Sequence, residues 1–325
     1  MIQGLSMGVE APLFAAYALE VAPPGREAWY AGTLQAFSQF GLLLASTVAF
    51  VSSLVLGGDQ MSEWGWRIPF IFGGLIGLFV IWMRRGLPES LHGDTTNEKP
   101  QQSSRDVLRS TGKSKLAICT IILVVGGAQV LNYGWVAGVP SAAASVLSED
   151  ATLIFGLTSA MTLGVLIMSP IAGHIADRFG VGRTFVWSRW LSIPFVFTLV
   201  ILFMWPSGGR LAVVMAAGIV LLAFAMGIFN AVTSSLVPQH SRVTSVGIGH
   251  AVGVAVFGGT ASYILVWLAS KGIIWVFPVY VALLLAASAV LYRITYKRNG
   301  LHGVEYAKTE SRSQQDSSVN HQLSS

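Results

Sequence analysis

Charge is scarce in this chain of 325 residues: Asp, Glu, Lys and Arg make up 11% of it, hydrophobic residues make up 53%, and mean hydropathy is +0.64. A soluble domain carries about 25% charged residues, so the composition excludes an ordinary soluble fold. Cysteine is nearly absent. The single Cys119 falls inside an apolar run, which leaves no disulfide and no cysteine metal site. Neither His-Glu-x-x-His nor Cys-x-x-Cys occurs, so no metal or other cofactor is expected. The N-terminus lacks a charged n-region and a small-residue cleavage site, so no removable signal is expected there. A net charge of +5 would suit a nucleic-acid partner, but the basic residues lie between apolar runs, and no nucleic-acid binding is expected.

The chain is dominated by long apolar runs. Nine of them, at roughly 1–21, 31–57, 66–83, 116–139, 152–172, 184–204, 211–233, 244–269 and 273–292, read as membrane-spanning helices. At a rise of 1.5 Å per residue, about 20 residues cross about 30 Å of hydrocarbon. The expected class is an all-α polytopic membrane protein with the lipid bilayer as its solvent. The 20 lysines and arginines sort by side. Arg67, Arg210 and Lys271 fall on one side and Arg189 inside a span, while the rest share the other side with the C-terminus. The positive-inside rule places that second side in the cytoplasm, in a cell membrane. Nine spans then put Met1 outside. The expected organisation is a partial N-terminal bundle over 1–85, a polar linker over 86–115, a six-helix bundle over 116–293 and a disordered Ser/Gln-rich tail over 294–325.

One short stretch stands out among the connections, GHIADRFGVGR at 173–183. Its brevity makes the flanking spans antiparallel neighbours. Gly173 is expected to let helices approach closely, and Gly180 to permit a tight turn. Asp177 sits at the membrane edge, where a carboxylate can meet a helix N-terminus or a cation. Arg178 and Arg183 complete the set. The stretch resembles the Gly-x-x-x-Asp-Arg-x-Gly-Arg-Arg signature loop of the major facilitator superfamily, with Val181-Gly182-Arg183 replacing the paired basic residues. In that family the loop would latch the cytoplasmic side, so the resemblance implies that Asp177 latches it here with Arg178 and Arg183 assisting.

The first three spans repeat the last three. Met7-Gly8, Pro23-Pro24, Arg26 and Gly32 parallel Met226-Gly227, Pro238, Arg242 and Gly247. Trp66-Arg67-Ile68-Pro69 parallels Trp275-Val276-Phe277-Pro278. Repeated six-span halves are a transporter architecture, so the repeat implies that counterparts of three spans are lacking from the first half. GLSMGVE (4–10), WGWRIPF (64–70), RRGLPES (84–90) and SVGIGHAVGVAVFGGT (245–260) resemble the metabolite:proton symporter family of proline/betaine, 2-oxoglutarate, citrate and shikimate carriers. That resemblance implies a major facilitator fold, truncated to about nine spans. It also implies proton-coupled symport of a small organic acid or zwitterion by alternating access, with no enzymatic activity. The alternative is a transport-inactive fragment of such a carrier. The oligomeric state is left open.

Polar residues inside spans are the candidate pathway. Glu10 is the only acid well inside one, where a charge costs roughly 2.5–3.5 kcal/mol. It is expected either to carry a proton or to form a structural ion pair. His250 is expected either to bind substrate or a proton, or to pack by hydrogen bonding. Gln35, Gln129, Tyr133 and Asn230 are candidates for lining an aqueous cavity, ahead of Gln39 and Asn132; the competing role is interhelical hydrogen bonding. Arg189, about six residues into its span, is expected to snorkel to the interface rather than form an anion site. Gly4-Leu5-Ser6-Met7-Gly8 matches a nucleophile elbow, but no strand leads into it, and its glycines read as helix-packing positions.

Overall fold

The computed structural model describes residues 22–23, 25–84, 115–204, 208–237 and 242–299. The first candidate span, with Glu10 and Ser6, lies outside the described residues, as do most of the 86–115 linker and the end of the tail. Among the described residues there is no strand. Eight helices are long and apolar enough to cross a membrane: α1 (Glu27–Gly57), α2 (Met61–Met83), α3 (Lys115–Ser145), α4 (Ala151–Phe179), α5 (Val181–Phe203), α6 (Gly209–Ser235), α7 (Arg242–Ser270) and α8 (Val276–Lys297). Helices suit these sequences because in hydrocarbon every backbone N–H and C=O must be satisfied within the segment.

The helix breaks have identifiable causes. Pro140 lacks an N–H, and its ring would clash with the carbonyl four residues back. The turn before it, Gly134–Gly138, widens to a π-helix, which relieves that clash. Pro194 ends the regular part of α5 at Val196, and Phe197 N–H bonds back to the Pro194 carbonyl at 3.2 Å. Two further π turns, Met61–Gly65 and Val254–Gly258, open α2 and interrupt α7. The last helix continues to Asn299, past the expected tail boundary at 294, because Thr295 is fully buried with its hydroxyl 2.6 Å from that of Thr120 on α3.

Six helices, α3 to α8, form a bundle with α3 and α6 at its centre. The core runs through Ile121, Val124, Leu131, Trp135, Phe185, Leu221, Phe277 and Leu285, all fully buried. Trp135 donates its indole N–H to the Val214 carbonyl at 3.0 Å, tying α3 to α6. From the first half, α1 lies along α4 for its whole length and also touches α6. At one end of that contact Gly173 meets Ala28; toward the other, Gly156 meets Phe50. By contrast, α2 packs on α1 and among the described residues presents an otherwise uncovered apolar surface, with Phe70, Ile71, Leu78 and Trp82 all exposed. Its counterpart in the sequence repeat, α8, is packed against both α3 and α5.

Candidate functional site

The site is built where α1 crosses the second bundle. At one end, α1 starts after a turn in which Gly25 takes a positive φ of 85° and Arg26 N–H bonds to the Pro23 carbonyl. Its first N–H groups have no Ser, Thr, Asp or Asn at the preceding positions to cap them. The cap comes from α4. Asp177 accepts from Ala28 N–H at 2.9 Å through Oδ1 and from Trp29 N–H at 2.8 Å through Oδ2. A carboxylate on a helix N-terminus adds charge-assisted bonds to a favourable dipole. The sequence allowed Asp177 a helix N-terminus or a cation, and this geometry provides the first.

The approach that brings Asp177 there depends on small residues. A Cβ at Gly173 would collide with the Ala28 carbonyl oxygen and lie 2.9 Å from Trp29 Cα. About one turn further in, Gly32 of α1 and Gly227 of α6 both press on Ser169 of α4; a Cβ at either would lie 2.7–2.8 Å from the Ser169 carbonyl oxygen. Three helix backbones meet at that point. Gly180 takes φ 94°, which an L side chain rarely adopts, and turns the chain from α4 into α5. Arg178 and Arg183 are exposed, with the Arg178 guanidinium 5.7 Å from the Phe179 ring centroid.

Deeper in the contact lies a row of amides. Gln35 and Gln39 are one helical turn apart on α1 and so share a face. Asn230 of α6 donates to Gln35 Oε1 at 3.3 Å, and Gln39 donates to Asn132 Oδ1 of α3 at 3.3 Å. Both pairs join the first half to the second inside otherwise apolar spans. Gln39 and Asn132 had ranked below the other amides in the sequence, and the structure brings them into the row. Gln129 and Tyr133 take a different place: they pack against Gly258 in the π turn of α7, whose missing Cβ would lie 3.1 Å from Gln129 Cβ and 3.0 Å from the Tyr133 ring. His250 stacks on Phe229, the neighbour of Asn230, with ring centroids 6.2 Å apart.

Arg189 corrects an expectation. Instead of snorkelling, it points into the bundle and is 2% exposed. Its guanidinium donates to the Val124 carbonyl at 3.3 Å and lies 4.8 Å from the Phe185 ring centroid, while Nε has no partner. Its position on α5 turns it toward α3, where Gly127 leaves room for it. No carboxylate pairs with it among the described residues. A lone charge at such depth costs roughly 2.5–3.5 kcal/mol, so Arg189→Met, which keeps the length and drops the charge, is expected to raise the thermal unfolding midpoint in detergent. A lowered midpoint would contradict an uncompensated charge.

These features match known proteins. A family model described as Major Facilitator Superfamily matches residues 1–254. The chain is 27% identical over 304 residues to the alpha-ketoglutarate permease of Escherichia coli (strain K12), covering 92% of this chain and 68% of that protein. It is 27% identical over 268 residues to the citrate-proton symporter of Klebsiella pneumoniae, covering 80% of this chain and 58% of that protein. It therefore spans 58% to 68% of the length of these relatives. A bacterial homologue of the iron transporter ferroportin, solved in an outward-facing state, aligns with a TM-score of 0.49 at 14% identity over 91% of this chain and 69% of that one. With a family match over most of its length and eight helices of membrane-crossing length among the described residues, the chain belongs to the Major Facilitator Superfamily, a family of multi-pass membrane transporters rather than enzymes.

Proposed function

We propose that this chain is a secondary active transporter that moves a small organic acid or zwitterionic metabolite together with protons by alternating access. The observation that carries the reading is the amide row. Gln35–Asn230 and Gln39–Asn132 bridge the two halves within apolar spans, where polar residues mark a path or its walls. The names of the relatives, one a carrier of alpha-ketoglutarate and one a proton-coupled carrier of citrate, support an acidic substrate. The Asp177 loop serves as the gate: with Asp177 on the first turn of α1, the two halves are held together at that end, and opening the path there requires those two bonds to break. The positive-inside rule puts this end and the C-terminus in the cytoplasm, with the chain in the plasma or inner membrane. Glu10 and His250 are the groups proposed to carry the proton, and Gln129 and Tyr133 to line the path beside the π turn of α7. One charge moving inward gains roughly 2.3 kcal/mol per 100 mV, enough for about 50-fold accumulation at about 1.4 kcal/mol per factor of ten.

A second reading is that the polypeptide inserts but does not transport, since α2 makes its main contacts among the described residues with α1 and not with the second bundle. Uptake into membrane vesicles separates the two. The tracers are radiolabelled 2-oxoglutarate, citrate, proline, betaine and shikimate, each with and without an inward proton gradient. Gradient-dependent uptake of one of them is the expected result. No uptake from a chain shown to be inserted would overturn the transporter reading for this polypeptide. Within the same assay, Gln39→Leu is expected to lower uptake severalfold while changing thermal stability little, because an interhelical hydrogen bond in a membrane contributes only about 0.6 kcal/mol. Unchanged uptake would remove Gln39 from the path.

A further inference from the structure

A groove of ≈ 310 Å³ runs along the outside of the bundle between α4, α5 and α6, away from the amide row. Its walls include Ile175, Phe179, Trp187, Leu191, Phe195 and Phe224. Three hydroxyl residues also line it: Ser188 bonds to the Phe185 carbonyl and Ser192 to the Ser188 carbonyl of their own helix, whereas the buried hydroxyl of Thr184, next to Arg183, has no hydrogen-bond partner among the described residues. Apart from Thr184 and Arg183 the wall is therefore apolar in effect. One charged residue lines the groove among the described residues, Arg183, and it stands at the end next to the Gly180 turn. Arg178, on the other side of the Gly180 turn, lies over the ring of Phe179, which is itself a wall residue. The nearby carboxylate of Asp177 faces the other way, onto α1, and so leaves this mouth cationic.

The dimensions fit the bilayer. From Arg183 to Phe195 α5 advances about 18 Å at 1.5 Å per residue. That is slightly more than one leaflet of a hydrocarbon layer about 30 Å thick. The groove opens toward lipid: Trp187 is 69% exposed and Leu191 56%. An apolar channel one leaflet deep with arginines at the headgroup end is complementary to a single molecule, a phospholipid whose acyl chain lies in the channel and whose phosphate meets the guanidinium groups. We propose that the α4–α5–α6 groove is a binding site for an anionic phospholipid, selected from the bilayer by Arg183. The site does not depend on the transport reading. It would place a lipid headgroup against the loop that carries Asp177, so the lipid composition of that leaflet would bear on the same segment that holds α1.

The test uses Trp187 as the reporter. The full chain is placed in nanodiscs of phosphatidylcholine containing increasing fractions of phosphatidylglycerol with brominated acyl chains, or of brominated phosphatidylcholine. The Trp187 contribution is taken as the difference from Trp187→Phe, since the chain holds 10 tryptophans. Brominated phosphatidylglycerol is expected to half-quench Trp187 at a mole fraction about fivefold lower than brominated phosphatidylcholine, the preference one arginine near a membrane surface contributes. Arg183→Gln is expected to bring that ratio to about one, and Arg183→Lys to keep most of it. Equal half-quenching fractions for the two lipids would overturn the proposal. So would a preference that survives Arg183→Gln. Both results can be read whether or not the protein transports anything.

Discussion

Replacing Gly173 with valine is expected to part α1 from α4 and to lower uptake by about tenfold or more. The atoms a Cβ would meet at this position are the carbonyl oxygen of Ala28 and the Cα of Trp29. Both are backbone, so neither can rotate away, and the helices themselves must move. Overpacking of this kind costs about 1–3 kcal/mol, and 1.4 kcal/mol is a factor of ten. The same displacement draws the N–H groups of Ala28 and Trp29 away from Asp177, so the loss exceeds that of the steric clash alone. The control is Gly41→Val on the same helix, where an added Cβ meets nothing within 4 Å. The check is uptake together with the thermal unfolding midpoint. Indistinguishable results for the two variants would mean that the close approach of α1 and α4 at Gly173 has no consequence.

Asp177→Ala is the second large effect. It leaves two N–H groups at the start of α1 without an acceptor. A hydrogen bond to a charged group contributes about 1.5–3 kcal/mol. Taking about 3 kcal/mol for the pair, the ratio of closed to open forms at this end should fall about 100-fold. Asp177→Asn keeps one oxygen but turns an N–H toward the second donor, so it should lose most of the same stabilisation. The two sites are one contact, and their effects should not add: Gly173→Val combined with Asp177→Ala should be little worse than Gly173→Val alone. The pair of single variants and the double variant, compared by thermal unfolding, measure this coupling. Full additivity would show that Gly173 and Asp177 act separately.

How much of this was legible depended on whether a residue's partner was local. The apolar runs were readable because length alone decides them, and the eight described helices fall on eight of the runs. The chemistry of Asp177 was readable as far as its two options, a helix N-terminus or a cation. Choosing between them needed α1, whose start lies 149 residues away. The stretch Pro23-Pro24-Gly25-Arg26 before α1 contains no capping side chain, and that lack is a sign, visible in hindsight, that the cap comes from elsewhere. Arg189 shows the opposite limit. Its depth in α5 was compatible with snorkelling, and only the rotation of the helix decides against it. In a membrane protein the lipid-facing and core-facing sides are both apolar, so periodicity does not reveal which side a residue faces. The pairing of Gln39 with Asn132 was hidden for the same reason. Ser169 gave no signal at all, because what matters there is its backbone carbonyl, pressed between Gly32 and Gly227.

The family supplies the expectation that the two halves move against each other, and the contact between α1 and α4 is where this chain would show it. The most direct measurement is the distance between spin labels at Arg26→Cys and His174→Cys, both exposed beside the Asp177 contact. Since Cys119 is the single cysteine, Cys119→Ala provides a label-free background. In vesicles without substrate the account predicts one dominant short distance. A second, longer population should grow when the tracer taken up in the vesicle assay and a proton gradient are supplied, and it should dominate without them in Asp177→Ala. A single short distance that neither substrate, gradient nor Asp177→Ala changes would contradict a gate at this contact.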